Sequence, residues 1–251
     1  MDSDAASRYV RTHGGPVDIA RLARLLDATS TPAVLDLVAD GQQADGGWCA
    51  PWSAGASSVA ETCLRLGRLT DLDELRSAPA RRAVRWLVGG QLGDGRWQEG
   101  TAWSRPDPAA DWYLTAHAGL CVALATHPVA DAAVRAARAL AAEVSEAGTL
   151  PSYAVTHWLA AGLCWRTGLL DAADRLLDRL AAVSDGRTAA EWSRCGWALA
   201  VSGVPSGHPA RAAVVTALSG LQRPDGGWPA DDEPRHDVHV TLDALAAALL
   251  G

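Results

Sequence analysis

The segment Gln222-Arg223-Pro224-Asp225-Gly226-Gly227-Trp228 has two close copies earlier in the chain, QQADGGW at 42–48 and QLGDGRW at 91–97. All three consist of Gln, two residues, Asp-Gly, one residue and Trp. Weaker copies at 147–150 and 184–188 keep one Gly or an Asp-Gly-Arg, so the positions equivalent to Trp are 48, 97, 150, 188 and 228. Such a spacing is typical of a repeat built from a pair of helices.

Each copy lies between two different helical patterns. The segment before it has apolar residues at three- and four-residue steps, which predicts an amphipathic helix with one solvent-exposed face. The segment after it carries few charges, which predicts a helix buried on several sides. The amphipathic segments are 32–42, 80–91, 129–144, 169–183 and 209–222, and the apolar ones are 57–67, 111–125, 152–167, 190–203 and 237–250.

Alternating helices of these two kinds fit two concentric rings, so the predicted fold class is all-α. Residues 4–11 and 17–27 add a sixth, degenerate helix pair within the first thirty residues. We expect residues 1–251 to form a single domain, because a chain of this length supports one good-sized core.

The composition excludes several classes of protein. The chain has 22 arginines, no lysine and a formal charge of −7, which argues against a nucleic-acid-binding protein. It has no apolar stretch long enough for a transmembrane helix, and its acidic first residues predict no signal peptide. Five dispersed cysteines favour a reducing environment, so the expected location is cytoplasmic.

The repeated turns, followed by helices that carry Asp or Ser four residues before a Thr, resemble the QW repeats of squalene–hopene cyclases and other class II terpene cyclases. The Thr residues concerned are Thr62, Thr115, Thr156 and Thr241. The residues four positions before them stand where helix N-caps belong, and they are Ser58, Asp111, Ser152 and Asp237. The resemblance extends from about Pro32 to Leu250. It implies an α/α toroid of about six helix hairpins, a fold that this family shares with protein prenyltransferase β subunits. In that family the Trp of each turn ties adjacent outer helices together, which implies a structural role for Trp48, Trp97 and Trp228.

The acid of that family is missing from the equivalent helix starts. Class II cyclases protonate their substrate with an Asp-x-Asp-Asp-Thr motif at the start of an inner helix, and none of the five starts keeps it. Asp71-Leu72-Asp73-Glu74 is similar in composition, but we interpret it as a solvated link. The zinc ligands of the prenyltransferases are absent as well, so no metal and no cofactor are expected. His236, Asp237 and His239 are the alternative metal ligands, unless they form a surface loop with a helix cap.

The resemblance places the two positions before each Thr in the central cavity, and three residues there are candidate catalytic groups. His239 stands at the position of the acid in the Asp-x-Asp-Asp-Thr motif, and an imidazole can exchange protons near neutrality. Glu61 is in register with the motif's second Asp, and Tyr113 is a candidate relay. The alternatives are a packed, hydrogen-bonded histidine and a glutamate paired with an arginine.

Further residues near the same helix starts are candidate substrate-binding groups. Tryptophan rings stabilise cations, and a guanidinium can bind a carboxylate or diphosphate. Packing of Trp and His, an internal ion pair of Arg194 with Glu191 or Glu61, and N-capping by Asp are the alternatives. The candidates are Trp112, Trp192, Arg194, His117, His157, Trp158, Asp111 and Asp237.

Three functions are compatible with these features. The first is a terpene-cyclase-like enzyme that binds an apolar polyene or isoprenoid in a Trp-rich cavity and uses acid–base and cation chemistry with a non-standard acid. The second is a non-catalytic isoprenoid- or lipid-binding module, and the third is a protein-interaction toroid. The expected partner is a small apolar or isoprenoid-like molecule and not a nucleic acid; contact with a membrane surface and the oligomeric state stay open.

Overall fold

The computed structural model describes residues 1–26, 32–51, 53, 55–100, 107–182 and 186–250. In these ranges the outer helices are α1 (Ser3–His13), α3 (Pro32–Ala39), α5 (Ala78–Gly89), α7 (Asp131–Glu143), α9 (Leu170–Ala182) and α11 (Pro209–Leu221). The inner helices are α2 (Pro16–Leu25), α4 (Val59–Asp71), α6 (Pro108–Ala125), α8 (Ala154–Thr167), α10 (Ala189–Val201) and α12 (Asp237–Leu249). Two short strands, β1 (Trp48–Cys49) and β2 (Ser57–Ser58), pair antiparallel, and a 3-10 turn covers Pro234–His236. The predicted helix ends at 27 and 183 and the weak copy at 184–185 lie outside the described residues.

The inner helices form a closed ring. Each packs against the next in the order α2, α4, α6, α8, α10 and α12, and α12 returns to pack against α2. The outer helices bury one face only, as α9 does with Ala172, Ala173, Leu176, Leu177 and Leu180. The predicted all-α toroid of about six helix hairpins is therefore confirmed. None of the described helices combines the length and the apolar character that crossing a membrane requires.

The turns at 42–48, 91–97 and 222–228, here called the Trp turns, connect each hairpin to its neighbours. Their Trp backbone N–H groups donate to the Thr hydroxyls of the inner helices, and their indoles donate to carbonyls near the ends of the preceding outer helices. The Trp–Thr pairs are Trp48–Thr62, Trp97–Thr115 and Trp228–Thr241, at 3.0, 3.1 and 3.1 Å. The indole acceptors are the carbonyls of Asp40, Leu87 and Leu218.

The glutamine of each Trp turn reaches the next outer helix. The Gln42 and Gln91 amides donate to the Pro79 and Ala132 carbonyls at the starts of α5 and α7. The Gln222 amide donates to the carbonyl of Asp2 at 2.9 Å, and its oxygen accepts the Asp2 N–H at 2.7 Å. The last turn of the chain is thereby bonded to its first helix, which closes the outer ring.

The third Trp turn has a glycine at a position where a side chain would collide with α1. Gly226 has a φ of 93°, a backbone conformation that glycine adopts at no steric cost. A Cβ at this position would lie 2.4 Å from the carbonyl carbon of Ala5 in α1. The close approach of the turn to the neighbouring outer helix therefore requires glycine.

The helix caps differ from those expected. Ser58 caps α4 as predicted, since its hydroxyl accepts the N–H of Glu61 at 3.2 Å. The prediction that Asp111, Ser152 and Asp237 are caps is wrong. Helix α6 begins one turn before Asp111 because Pro108 has the φ that the first helical position requires, and the side chain of Asp107 caps the helix.

Candidate functional site

The inner ring encloses a cavity of about 490 Å³ that opens to the surface beside Asp231 and Asp232. Ligand pockets span roughly 300–1,000 Å³, so the cavity is large enough for a small molecule. Six charged side chains project into it from α2, α4, α10 and α12. They are Arg21, Arg68, Arg194, Glu61, Asp71 and Asp243.

Aromatic side chains contribute less to this cavity than the sequence predicted. Of the tryptophans that the structure describes, Trp197 alone lines the cavity. Trp192 is 2% exposed and lies under the Arg187 guanidinium, 4.7 Å from the ring centre. The cavity wall is therefore ionic, and the expected Trp-rich lining is not present there.

Arg21 of α2 is the centre of the ionic wall. It is 5% exposed, and its guanidinium contacts Asp71 Oδ2 at 2.7 Å and Asp243 Oδ1 at 3.2 Å. Burial acts to lower the pKa of Arg21, but the facing carboxylates outweigh it and raise that pKa. Burial raises the pKa of Asp71, while Arg21 and the hydrogen bond from Trp197 oppose the shift. The cluster holds α2, α4 and α12 together, because Arg21 of α2 pairs with a carboxylate on each of the other two helices.

His239 of α12 lies next to that cluster. Its Nδ1 is 3.3 Å from Asp18 Oδ1 and 3.3 Å from Arg21 Nη1. Burial acts to raise the pKa of Asp18, but the hydrogen bond and charge of His239 lower it below its usual value. A protonated Nδ1 can donate to Asp18, and a deprotonated Nδ1 can accept from Arg21. Both protonation states of the ring therefore find a partner.

Glu61 lines the cavity but is already paired. Its Oε1 accepts a hydrogen bond of 2.8 Å from Arg65 Nε, one turn further along α4. The structure thus shows the arginine pair that was the alternative to a free carboxylate at this position.

Tyr113 and His117 form a buried pair on α6. The Tyr113 hydroxyl lies 3.3 Å from His117 Nδ1, and His117 lines the cavity. Burial, assisted by the nearby Arg194, lowers the pKa of His117 to about 3, and burial raises the pKa of Tyr113. Both side chains are therefore neutral near pH 7. His117 presents a dipole rather than a charge to the cavity, whereas Tyr113, a candidate relay, is not among the residues that line it.

Arg194 reaches the cavity from α10. Its closest carboxylate is Asp243, at 3.7 Å, rather than Glu191 or Glu61 as the sequence suggested. The guanidinium also lies over the ring of Trp197, 5.7 Å from its centre. Neither contact is tight, so Arg194 keeps hydrogen-bond donors for other partners.

Asp237 and Asp111 hold backbone segments in place. Asp237 accepts bonds from the Ala230 N–H at 2.8 Å and from Arg223 Nη1 at 2.6 Å. Asp111 accepts a bond of 2.7 Å from the amide of Gln98. These contacts connect each inner helix to its preceding Trp turn or the loop after it, and neither carboxylate lines the central cavity.

His157, Trp158 and Trp112 also lie apart from the central cavity. His157 accepts from the Leu150 N–H at 2.9 Å, and its other ring nitrogen lies 3.0 Å from the Tyr153 carbonyl. His157 and Trp158 line a separate cavity of about 230 Å³. Trp112 lies under the guanidinium of Arg96 at 5.5 Å.

Sequence reasoning missed Arg21, Asp71 and Asp243. The interpretation of Asp71 as part of a solvated link is wrong, because its side chain is 6% exposed, whereas that of Asp73 is 74% exposed. Asp243 follows His239 by one helical turn, and this spacing would have placed both on one face of α12. Nothing in the sequence around Arg21 indicates its role.

The described residues contain no group of three or more His, Cys, Asp or Glu side chains that is arranged to hold a metal ion. His236, one of the alternative ligands, pairs instead with Asp232, with its Nδ1 2.8 Å from Oδ2. Burial raises the pKa of the Cys164 and Cys195 thiols to about 12, so neither is activated as a nucleophile.

Comparison with known proteins gives matches at the level of fold. No family model matches the chain, and no curated protein matches it. A protein from Actinoplanes of known structure is 17% identical over 98% of this chain and 100% of its own, with a TM-score of 0.64. A variant of the type II terpene cyclase MstE from Scytonema, in complex with its substrate geranylgeranyl dihydroxybenzoate, is 14% identical over 93% of this chain and 86% of its own, with a TM-score of 0.62. A second variant of MstE, in complex with its product merosterolic acid A, has a TM-score of 0.59. At these identities the likeness establishes a terpene-cyclase-like fold for this chain.

Proposed function

We propose that this protein is a terpene-cyclase-like enzyme that binds an isoprenoid-type substrate in the central cavity and acts on it by proton transfer and cation stabilisation. The observation that carries the proposal is the position of His239, next to Asp18 and Arg21, in the wall of the central cavity of about 490 Å³. The likeness to a cyclase solved with substrate and with product supports it.

His239 is the residue that we propose as the proton donor and acceptor. A general acid needs a proton that it can release and a geometry that survives the release. Asp18 can accept a hydrogen bond from Nδ1 of the protonated ring, and Arg21 can donate one to Nδ1 once the ring is neutral. The other nitrogen, Nε2, makes no hydrogen bond among the described residues, and we propose that it faces the substrate.

Asp71, Asp243 and Trp197 are proposed to stabilise positive charge that develops during the reaction. Asp71 and Asp243 share the guanidinium of Arg21 and place two fixed carboxylates in the cavity wall. Fixed negative charges and an aromatic face lower the energy of a nearby cation more in an enclosed site than in water. Protonation of a carbon–carbon double bond creates such a cation.

The test is product formation by the purified protein with geranyl, farnesyl and geranylgeranyl diphosphates and with geranylgeranyl dihydroxybenzoate, analysed by mass spectrometry. We expect one of these compounds to be converted, and we expect His239→Gln to lower its turnover about 100-fold or more. His13→Gln is the matched control, because His13 bonds only the Tyr9 carbonyl on α1.

Binding without conversion by the wild-type protein would instead support the second candidate function, an isoprenoid-binding module. The missing Asp-x-Asp-Asp-Thr motif is the observation that favours it. Unchanged turnover in His239→Gln would remove His239 from the proposed mechanism.

A further inference from the structure

Arg68 is an arginine of the central cavity without a carboxylate partner. It lies on α4, one turn before Asp71, and lines the cavity. Its guanidinium makes no ion pair and no hydrogen bond with any residue that the structure describes. Arg21, Arg65 and Arg194, in contrast, each contact a carboxylate.

The surroundings of Arg68 make its positive charge unfavourable unless an anion is bound. Burial lowers the pKa of Arg68, and so do the positive charges of Arg65 and Arg21, while the negative charges of Glu61 and Asp18 offset this only in part. A guanidinium has five N–H donors in a fixed fork and stays charged in proteins. A half-buried charged group that is paired with no carboxylate costs free energy in the empty protein, and a bound anion would lower that cost.

We infer that Arg68 binds an anionic group of the substrate, a carboxylate or a phosphate, and so fixes the orientation of the substrate in the cavity. Both groups match the fork of a guanidinium through two parallel hydrogen bonds. Arg194, whose contact with Asp243 is 3.7 Å, can move to assist. The inference deepens the proposed function, because it assigns a charged end to the isoprenoid-type substrate.

The experiment measures binding by calorimetry to the wild-type protein and to Arg68→Gln. The probes are farnesyl diphosphate, farnesoic acid and farnesol, which share one hydrocarbon chain and differ in the end group, with inorganic pyrophosphate as a fourth probe. Arg85→Gln is the matched control, because Arg85 is exposed on the outer helix α5.

We expect Arg68→Gln to weaken binding of the preferred anionic probe about tenfold or more and to leave farnesol unaffected. The anion that binds the wild type more tightly identifies the end group as phosphate or carboxylate. We also expect Arg68→Gln to melt no lower than the wild type, since no partner is lost. Arg68→Lys should recover part of the affinity, because the charge remains and the fork is lost.

Equal affinity of the wild type and Arg68→Gln for both anions would overturn the inference, as would a wild type that binds none of the anionic probes. Arg68-dependent binding without any product would leave the inference standing and remove the proposed enzymatic function. Conversion of a neutral polyene at the same rate by the wild type and by Arg68→Gln would overturn the inference and leave the proposed enzymatic function standing.

Discussion

The indole N–H of Trp197 donates a hydrogen bond of 2.7 Å to Oδ1 of Asp71. This bond connects α10 to the last residue of α4. The second oxygen of the same carboxylate contacts Arg21 of α2, so Asp71 receives donors from two other inner helices. This carboxylate of the cavity wall is thereby part of the contacts that hold the inner ring together.

Replacing Trp197 with Phe should destabilise the fold. The change keeps most of the ring volume but leaves Asp71 Oδ1 without its donor, which costs about 1–3 kcal/mol of unfolding free energy. Urea unfolding of the wild type and the variant measures this loss of unfolding free energy. Trp86→Phe on α5 is the control, because the Trp86 indole makes no hydrogen bond with the described residues. Equal losses in both variants would show that the bond to Asp71 contributes nothing.

Replacing Arg21 with Met should have a larger effect. Two buried carboxylates, Asp71 and Asp243, would lose their cation, and breaking a buried ion pair from one side costs about 3–5 kcal/mol. Arg24→Met is the matched control on the same helix. Arg24 pairs with Asp73, whose side chain is 74% exposed, so its loss should cost about 0–1 kcal/mol. Similar unfolding midpoints for the two variants would contradict the central position of Arg21.

His117 should make stability depend on pH in a defined direction. Its pKa of about 3 in the folded protein lies below about 6.5 for a free imidazole. The unfolded chain therefore binds the proton more readily, and the contribution of His117 to stability is lost as pH falls from about 6.5 towards 3. Between pH 7 and pH 5 the loss is about 2 kcal/mol.

The measurement for His117 is the free energy of unfolding at both pH values for the wild type and for His117→Gln. Glutamine does not titrate, so the variant should lose about 2 kcal/mol less over this interval. A pH dependence of the variant as steep as that of the wild type would assign the effect to other groups.

The third Trp turn offers a test of how tightly the hairpins are joined. Gly226 and Gly186 both have positive φ, at 93° and 86°, but a Cβ on Gly226 would meet the Ala5 carbonyl, whereas a Cβ on Gly186 would meet nothing within 4 Å. Alanine at either position costs about 1–2 kcal/mol for its backbone conformation. The clash should add roughly 1–3 kcal/mol to Gly226→Ala alone, as thermal and urea unfolding can determine. Equal costs would mean that the turn is not packed against α1.

The sequence predicted the fold well because the repeated turns encode the contacts between hairpins. Trp97, for instance, bonds α6 through Thr115 and α5 through the Leu87 carbonyl, and both contacts are local to one repeat. A pattern that repeats several times along the chain identifies such local contacts without any knowledge of distant packing. The bond between Gln222 and Asp2 that closes the outer ring was not predicted, because it joins residues 220 positions apart.

The candidate site was predicted less completely because it depends on contacts between distant segments. Asp71 stands two residues before the exposed Asp73, and its burial arises from Arg21, 50 positions earlier, and Trp197, 126 positions later. Neither contact leaves a local signal. Glu61 and His239 were placed at the cavity by their register with Thr62 and Thr241, which is again a local relationship, and they do line it.

The central claim is that the cavity transfers a proton to the substrate through His239. In a proton-initiated reaction a C–H bond forms at an alkene carbon, and the resulting cation later loses a proton from another carbon, so the mass is unchanged in ordinary water. The decisive measurement is the mass of the product formed in D₂O from whichever isoprenoid the wild-type protein converts. The account predicts a product one mass unit heavier, formed about 100-fold more slowly by His239→Gln. A product without deuterium, or one formed equally fast by the variant, would contradict it.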